Sequence, residues 1–477
     1  MRLIIRNIPL GFLLICITYA SCTAPKAVQT TNTQALPQSY SAATDTTNSA
    51  QLKWREFFAD KNLVALIDTA LKNNLDVLTT LQEIEVAKNN VRLKSGKLFP
   101  TITGAGSAGI TKVGHYTSQG AGDASADITP GQLVPENLND YMVGFQSSWE
   151  ADIWGKLHNA KKAAATRYLG SIEGKNFVIT NLIAEIANTY YELLALDNQL
   201  AIIRETIQLQ KNGLEIVKAQ KDAAVVTELA VKQFEAQLYN SQGLEFELLQ
   251  NIAENENNIN TLLGRFPQKI ARDKETFTAQ IPSSIKIGIP SQILKNRPDI
   301  KQAELELFAT KCDVKAAQAE FYPSLNVSGS LGYQAFKTAY LFTTPQSMLY
   351  SLVGDLTVPL INRSAIKAEF KNANAYQLEA LYNYQKTILN GYVEVSNEMS
   401  NINHLEQSYS LKAKEVEALT KSIEISNDLF KSARATYLEV LMAQRDALSS
   451  RLELIEAKKN QFNAVTNIYK ALGGGWK

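Results

Sequence analysis

YMVGFQSSWEADIWGKLHNAKKA, residues 141–163, decides how the rest of this chain is read. Tyr141, Val143, Phe145, Trp149, Ala151 and Ile153 are apolar or small and alternate with Gln146, Ser148, Glu150 and Asp152, the period of a strand with one apolar face. Past Gly155, the charges of Lys156, Lys161 and Lys162 and the alanines Ala160, Ala163, Ala164 and Ala165 favour helix. Strand therefore passes into helix without a proper loop. YSLVGDLTVPLINRSAIKAEFK, residues 350–371, makes the same move again.

Working outward, the body is one plan written twice. Residues 52–98 have helical spacing (Leu63, Leu66, Ile67, Ala70, Leu71) and stop at Pro100. Ile102, Gly104, Gly106, Ala108 and Ile110 then alternate, and a polar, glycine-rich excursion over 111–139 leads into the Tyr141 strand. A helix without proline over 156–221 is on the order of 100 Å long at 1.5 Å per residue, more than a globular core needs. After a turn at 222–227 a second helix runs over 228–263 to Gly264. Ile183, Ile186, Ala187, Tyr190, Leu193, Leu194 and Leu200 are expected to face Leu229, Phe234, Leu238, Phe246, Leu249 and Ile252 across this hairpin.

In the second copy, helix 299–320 stops at Tyr322-Pro323 and Leu325, Val327, Gly329, Leu331 and Tyr333 alternate. The Tyr350 strand and a helical hairpin at 364–431 and 436–472 follow. Such a duplication implies one pseudo-repeated structure rather than separate domains.

The start is built for export: Arg2 and Arg6, an apolar run from Ile8 to Ile17, then Ala20 and Ser21. Ala20-Ser21-Cys22 resembles a bacterial lipobox, with Tyr19 where Leu is usual, making Cys22 the lipidation site. A plain secretory signal is the alternative. Thr, Ser, Ala, Gln and Pro over 23–49 read as a flexible tether. Cys312, in a helical run, reads as a small buried residue.

The expected organisation is a signal peptide at 1–21, a lipid-anchored tether at 22–50, a first repeat at 51–283 (β-hairpin 100–154, helical hairpin 156–264), an inter-repeat segment at 284–300, and a second repeat at 301–477 (β-hairpin 323–361, helical hairpin 364–472). The 48 basic and 47 acidic residues leave a net charge of +1, which gives no support for nucleic-acid binding. His115, His158 and His404 are scattered, without metal-ligand spacing, a CxxC pair or a phosphate loop. No catalytic residue, metal site or cofactor is expected.

Four strands cannot close a barrel, and an open edge in lipid leaves backbone groups unpaired. Three copies would supply about twelve strands, within the known range of outer-membrane barrels. Glu150, Asp152 and Asp355, on the polar faces, are the candidate lumen-lining residues. A structural coiled-coil spacer lipoprotein would explain the helices but has no use for amphipathic strands.

IGIPSQILKNRPDIKQAELEL, residues 287–307, resembles the signature G-[LI]-P-S-x-[LI]-L-x-x-R-P-D-I-x-x-A-E of TolC-like outer-membrane efflux factors of the NodT lipoprotein type. WEADIWGK at Trp149 and FYPSLNVSGSLGY at Phe321 resemble further family blocks. The resemblance spans roughly residues 50–475. It implies a mostly α protein with a membrane β-barrel, a homotrimer with 12 strands and a long periplasmic α-helical barrel. It also implies an outer-membrane location, a periplasmic adaptor (membrane fusion) protein and an inner-membrane efflux pump as partners, and passive conduction through a gated tip. A type I protein-secretion channel is the alternative within this class. Pro290, Arg297, Pro298 and Asp299 read as structural: Pro298 suits a first helical turn, Asp299 its dipole, and Arg297 a nearby carboxylate.

By the same resemblance the helix turns form the gate. Asp222 falls on an acidic position of the first hairpin. Phe430, Ala435, Glu439 and Met442 fall on an aromatic, a basic and two acidic positions of the second. Arg434 stands one place from the expected basic residue, so Asp222, Phe430, Arg434 and Glu439 are the gate candidates, with Glu439 favoured for a carboxylate ring. The sequence departs at Ala224 and Ala433, where the family has glycines, and at Ala230, where Asp is common.

Overall fold

The computed structural model describes residues 25, 27, 37–40, 47–278, 286–359, 363–432 and 434–477; the signal peptide, Cys22, Leu360 and Ala433 lie outside them. In chain order the main elements are α1 (Lys61–Asn73), α2 (Leu75–Gly96), β1 (Thr101–Thr111), β2 (Leu138–Ala151), α3 (Lys156–Asp222) and α4 (Glu228–Leu262). They are followed by α5 (Pro298–Ala319), β3 (Ser324–Ala335), β4 (Met348–Thr357), α6 (Ser364–Lys431) and α7 (Tyr437–Ala471). The helix–hairpin–helical hairpin order occurs twice. The chain forms two compact units that each draw on both copies: one includes Glu85–Tyr168 and Leu305–Leu381, the other Asn32–Ile84, Leu169–Glu304 and Tyr382–Lys477.

In the first unit, β1 to β4 form an antiparallel four-stranded sheet in sequential order, leaving β1 and β4 at its edges. The period-2 pattern sets the register: Phe145 lies opposite Gly104 and Leu331, and Tyr350 opposite Leu331, so these apolar or small residues share a face. The 111–139 excursion is more than a loop, holding a short helix (Ser118–Asp123) capped by Thr117 and a ribbon of Asp127–Thr129 with Gln132–Leu133. Below the strands Phe321 packs edge-on against Phe370 at 5.7 Å, and Cys312 is buried with Ala163 and Ala309.

The second unit is held by Ile183, Ile186, Ala187, Tyr190, Leu193 and Leu194 of α3, packed with Leu63 and Ile67 of α1 and with Ile259. Two expectations need correction here. Residues 52–98 are not one helix: after Trp54–Phe57 the chain breaks, Asp60 caps α1, and extended Asn74 separates α1 from α2. Across the α3–α4 hairpin Phe234, Leu238 and Ile252 are buried as expected, but Leu229 and Phe246 are 59% and 71% exposed. At 100° per residue they sit about 140° and 120° around α4 from Phe234, off the packed stripe.

The tether is also not free throughout. Tyr40 stacks on Tyr392 at 5.2 Å, and Ser49–Gln51 forms a 3-10 turn in which Ser49 N–H donates to Lys286 O at 2.7 Å.

Candidate functional site

The alternation of β1–β4 makes two chemically distinct surfaces. One carries rows of polar groups: Thr103, Gln146, Ser330 and Ser351 lie side by side, as do Glu150, Asn326 and Asp355. Ser330 and Ser351 share a hydrogen bond of 2.7 Å, Glu150 pairs with Lys156 at 2.6 Å, and Asp355 is exposed. The opposite face exposes Phe145, Leu331, Tyr350, Leu352 and Leu356. A sheet with one polar and one broad apolar face suits a boundary between water and lipid.

Asp152 is not on that polar face. β2 ends at Ala151, and the Asp152 carboxylate turns onto the start of α3, accepting from the N–H groups of Leu157 (2.9 Å) and His158 (2.8 Å) and contacting His158 Nδ1 at 2.5 Å. Its side chain is only 7% exposed. Burial opposes ionisation, but the N–H donors and His158 outweigh it and hold the carboxyl below its ordinary pKa. A helix N-terminus leaves N–H groups unpaired, and the Asp152 carboxylate caps two of them as their acceptor. Trp154 packs in the bend, stacked on Tyr322 at 4.8 Å and donating to Pro323 O at 2.7 Å. Trp149 Nε1 donates to Leu98 O at 3.0 Å. Nearby, burial and the Glu369 carboxylate push the Glu320 carboxyl above its ordinary value. Sequence reasoning missed this carboxyl pair, since the two residues are far apart in the chain.

The two helix turns differ in construction. In the first, Val225 N–H reaches Gln220 O at 2.8 Å, and Ala224 takes a φ of 56°. That left-handed conformation is one that glycine adopts without a Cβ penalty. Lys221 then spans the turn to Glu228 at 2.5 Å. In the second turn, Arg434 N–H reaches Leu429 O at 2.8 Å, and Glu439 closes a capping box with Thr436. The Glu439 carboxylate accepts from Thr436 N–H (2.6 Å) and Thr436 Oγ1 (2.9 Å), which lower its pKa. Phe430 is half-buried in the last turns of α6. Within one chain, no ion pair among the described residues joins Asp222 to Arg434.

Arg297 is the most heavily engaged of the signature residues. It is 5% exposed and forks onto Asp299 through Nε (3.1 Å) and Nη2 (2.7 Å), while Nη1 donates to Glu394 (2.6 Å) and Ala471 O (3.0 Å). Burial lowers the guanidinium's pKa, but the two carboxylates outweigh that and raise it. Pro298 opens α5, and Pro290 opens a 3-10 turn over Pro290–Gln292. Asn74 was missed, although it stands the same distance upstream of Pro100 as Arg297 does of Pro323.

Among the described residues no cluster of His, Cys, Asp and Glu could hold a metal ion, and no helix is long and apolar enough to cross a membrane. A family model described as outer membrane efflux protein matches residues 66–265 and 289–474. The chain is 26% identical over 425 residues to the solvent efflux pump outer membrane protein SrpC of Pseudomonas putida, covering 89% of this chain and 87% of that protein. It is 26% identical over 447 residues to the probable outer membrane lipoprotein SilC of Salmonella typhimurium, covering 92% and 93%. Its fold is similar to that of the outer-membrane channel OprN, with a TM-score of 0.84 at 24% identity over 95% of this chain and 99% of that one. The chain therefore belongs to the outer membrane efflux protein family and has the fold of its channels.

Proposed function

We propose that this outer-membrane efflux channel works as a lipid-anchored homotrimer that passively conducts substrates delivered by an inner-membrane pump and a periplasmic adaptor. The observation that carries the reading is the two-faced sheet with both edges open. Its apolar face suits lipid, its polar rows suit a lumen, and its edges need partners that further copies supply. Three copies give about twelve strands. Lipidation at Cys22 anchors the mature chain, a reading supported by the lipobox-like Ala20-Ser21-Cys22.

The helix turns form the periplasmic gate in this reading. Asp222 and Arg434 are not paired within a chain, so a link between them joins neighbouring copies. Glu439 carries the negative charge of its turn, although its carboxylate is already engaged with Thr436. The test is single-channel recording in planar bilayers. Purified protein is expected to migrate as a heat-modifiable trimer and to conduct ions, and the Asp222→Ala, Arg434→Ala double variant to conduct more. A monomer without conductance contradicts the channel reading, and unchanged conductance in the variant contradicts the gate link.

A further inference from the structure

Where α3 of the first helical hairpin meets α6 and α7 of the second, the helices leave a cavity of about 240 Å³. On α3, Leu209, Gly213 and Ile216 line it. They recur at helical spacing and share one face, and Gly213 sets no side chain between the two apolar walls. Leu209 and Ile216 are large and apolar, yet each is 52% exposed. Ile423 of α6 and Leu448 of α7 complete the apolar lining. Leu448 is buried in one cluster with Ile207 and Leu214 of α3, which fixes that wall in the packed core.

Two amides on the lining lack partners. Gln210 is 1% exposed, and among the described residues neither its amide oxygen nor its amide nitrogen has a hydrogen-bond partner. Gln444, on the other hairpin, lines the same cavity, and its buried Oε1 is equally without one. Each such atom forfeits a hydrogen bond that it makes in water, a cost that a ligand with matching groups removes. The charges on the lining are already matched: Lys431 pairs with Asp428 at 3.5 Å and Arg451 with Glu205 at 2.6 Å.

We infer that this cavity binds a small neutral molecule that joins a primary carboxamide to an apolar body. The carboxamide N–H groups donate to Gln210 Oε1 and Gln444 Oε1, and its carbonyl accepts from Gln210 Nε2. A carboxylate has no N–H to offer either oxygen, and the matched cations give it no charge partner. The apolar body covers Leu209, Ile216 and Ile423. A cavity of about 150 Å³ takes benzene, so this one suits about ten non-hydrogen atoms. Gln210 and Gln444 belong to different hairpins, and Lys431, the last residue of α6, also lines the cavity. A bound molecule therefore ties the hairpins together beside their turns. On the gate reading proposed above, on which this consequence rests, it holds the tip closed.

Benzamide has that size and those groups, and acetophenone has the same shape with a methyl group in place of the amide nitrogen. Calorimetric titration into the purified protein in detergent is expected to give benzamide a dissociation constant on the order of 1 mM. Acetophenone is expected to bind at least about tenfold more weakly, because it leaves both glutamine oxygens unpaired. Gln210→Leu should abolish that preference, so that acetophenone binds at least as well as benzamide, and should not lower the melting midpoint of helical ellipticity. Gln444→Leu should weaken benzamide several-fold, and it carries the test if Gln210→Leu does not fold. Equal binding of the two probes by the wild type, no binding of benzamide, or benzamide binding that survives both substitutions overturns the site. In planar bilayers, benzamide at about ten times its dissociation constant is expected to lower wild-type conductance several-fold. Binding with unchanged conductance overturns the clamp alone; binding by a protein that forms no channel overturns the channel reading and leaves the site standing.

Discussion

Asn74 and Arg297 hold equivalent places in the two repeats: Asn74 Nδ2 donates to Leu262 O at 2.9 Å, and Arg297 Nη1 donates to Ala471 O at 3.0 Å. Each ties the start of one helix to the last turn of its repeat's returning helix. Two residues past each carbonyl stands a glycine of positive φ, Gly264 at 64° and Gly473 at 88°. A Cβ at either would lie 2.3 Å from Asn73 O or 2.6 Å from the Asn296 carbonyl carbon, so the close approach depends on glycine. The second repeat makes the joint with a buried guanidinium and two carboxylates where the first uses a neutral amide.

Removing that guanidinium leaves Asp299 and Glu394 without their partner. Arg297→Ala is expected to cost about 3 kcal/mol, since breaking a buried pair strands the remaining charge. Arg297→Lys should lose less, keeping the charge without the fork onto Asp299. The midpoint of heat-induced loss of helical ellipticity in detergent checks the order wild type, Lys, Ala.

At the first helix turn, Ala224 holds a conformation that costs an L-residue about 1 kcal/mol relative to glycine. Ala224→Gly is therefore expected to raise the same midpoint. Ala224→Val should lower it, because a branched Cβ tolerates positive φ less well.

The Asp152 cap predicts a pH dependence. Its carboxyl pKa is lowered in the folded chain, so its stabilisation is present above the unfolded carboxylate pKa of about 3.9 and is lost as pH falls through the folded value. Asp152→Ala should cost about 1–2 kcal/mol near neutral pH, the range for a lost N-cap. The difference from wild type should shrink below about pH 4, measured as unfolding midpoints over a pH series.

Charge in the sheet's polar rows should set ion preference. Asp355 is exposed and Glu150 is partly offset by Lys156, so Asp355→Asn is expected to reduce cation over anion selectivity more than Glu150→Gln does. Reversal potentials under a salt gradient measure this.

The strands, the long hairpins and the buried stripe around Tyr190 were legible because period 2 and period 3.6 are written directly into the residues. The break at Asn74 was not, since Leu75 and Asp76 continue a helical pattern and only the contact with Leu262 O reveals the joint. Asp152 continued the strand's alternation but was claimed by the unpaired N–H groups of α3, which periodicity does not register. Glu439 has the spacing of a capping box from Thr436 in the sequence itself, and that local use competes with a ring role. Leu229 and Phe246 are apolar residues left outside the packed stripe, which a single chain cannot explain by its own core.

The central claim is that the Ser330 face lines water and the Leu331 face meets lipid. Single-channel conductance of Ser330→Cys and Leu331→Cys, each with Cys312→Ala, before and after a charged, membrane-impermeant thiol reagent tests it most directly. The account predicts a stepwise fall in conductance for Ser330→Cys and no change for Leu331→Cys; a response only at Leu331→Cys, or an equal response at both, would contradict it.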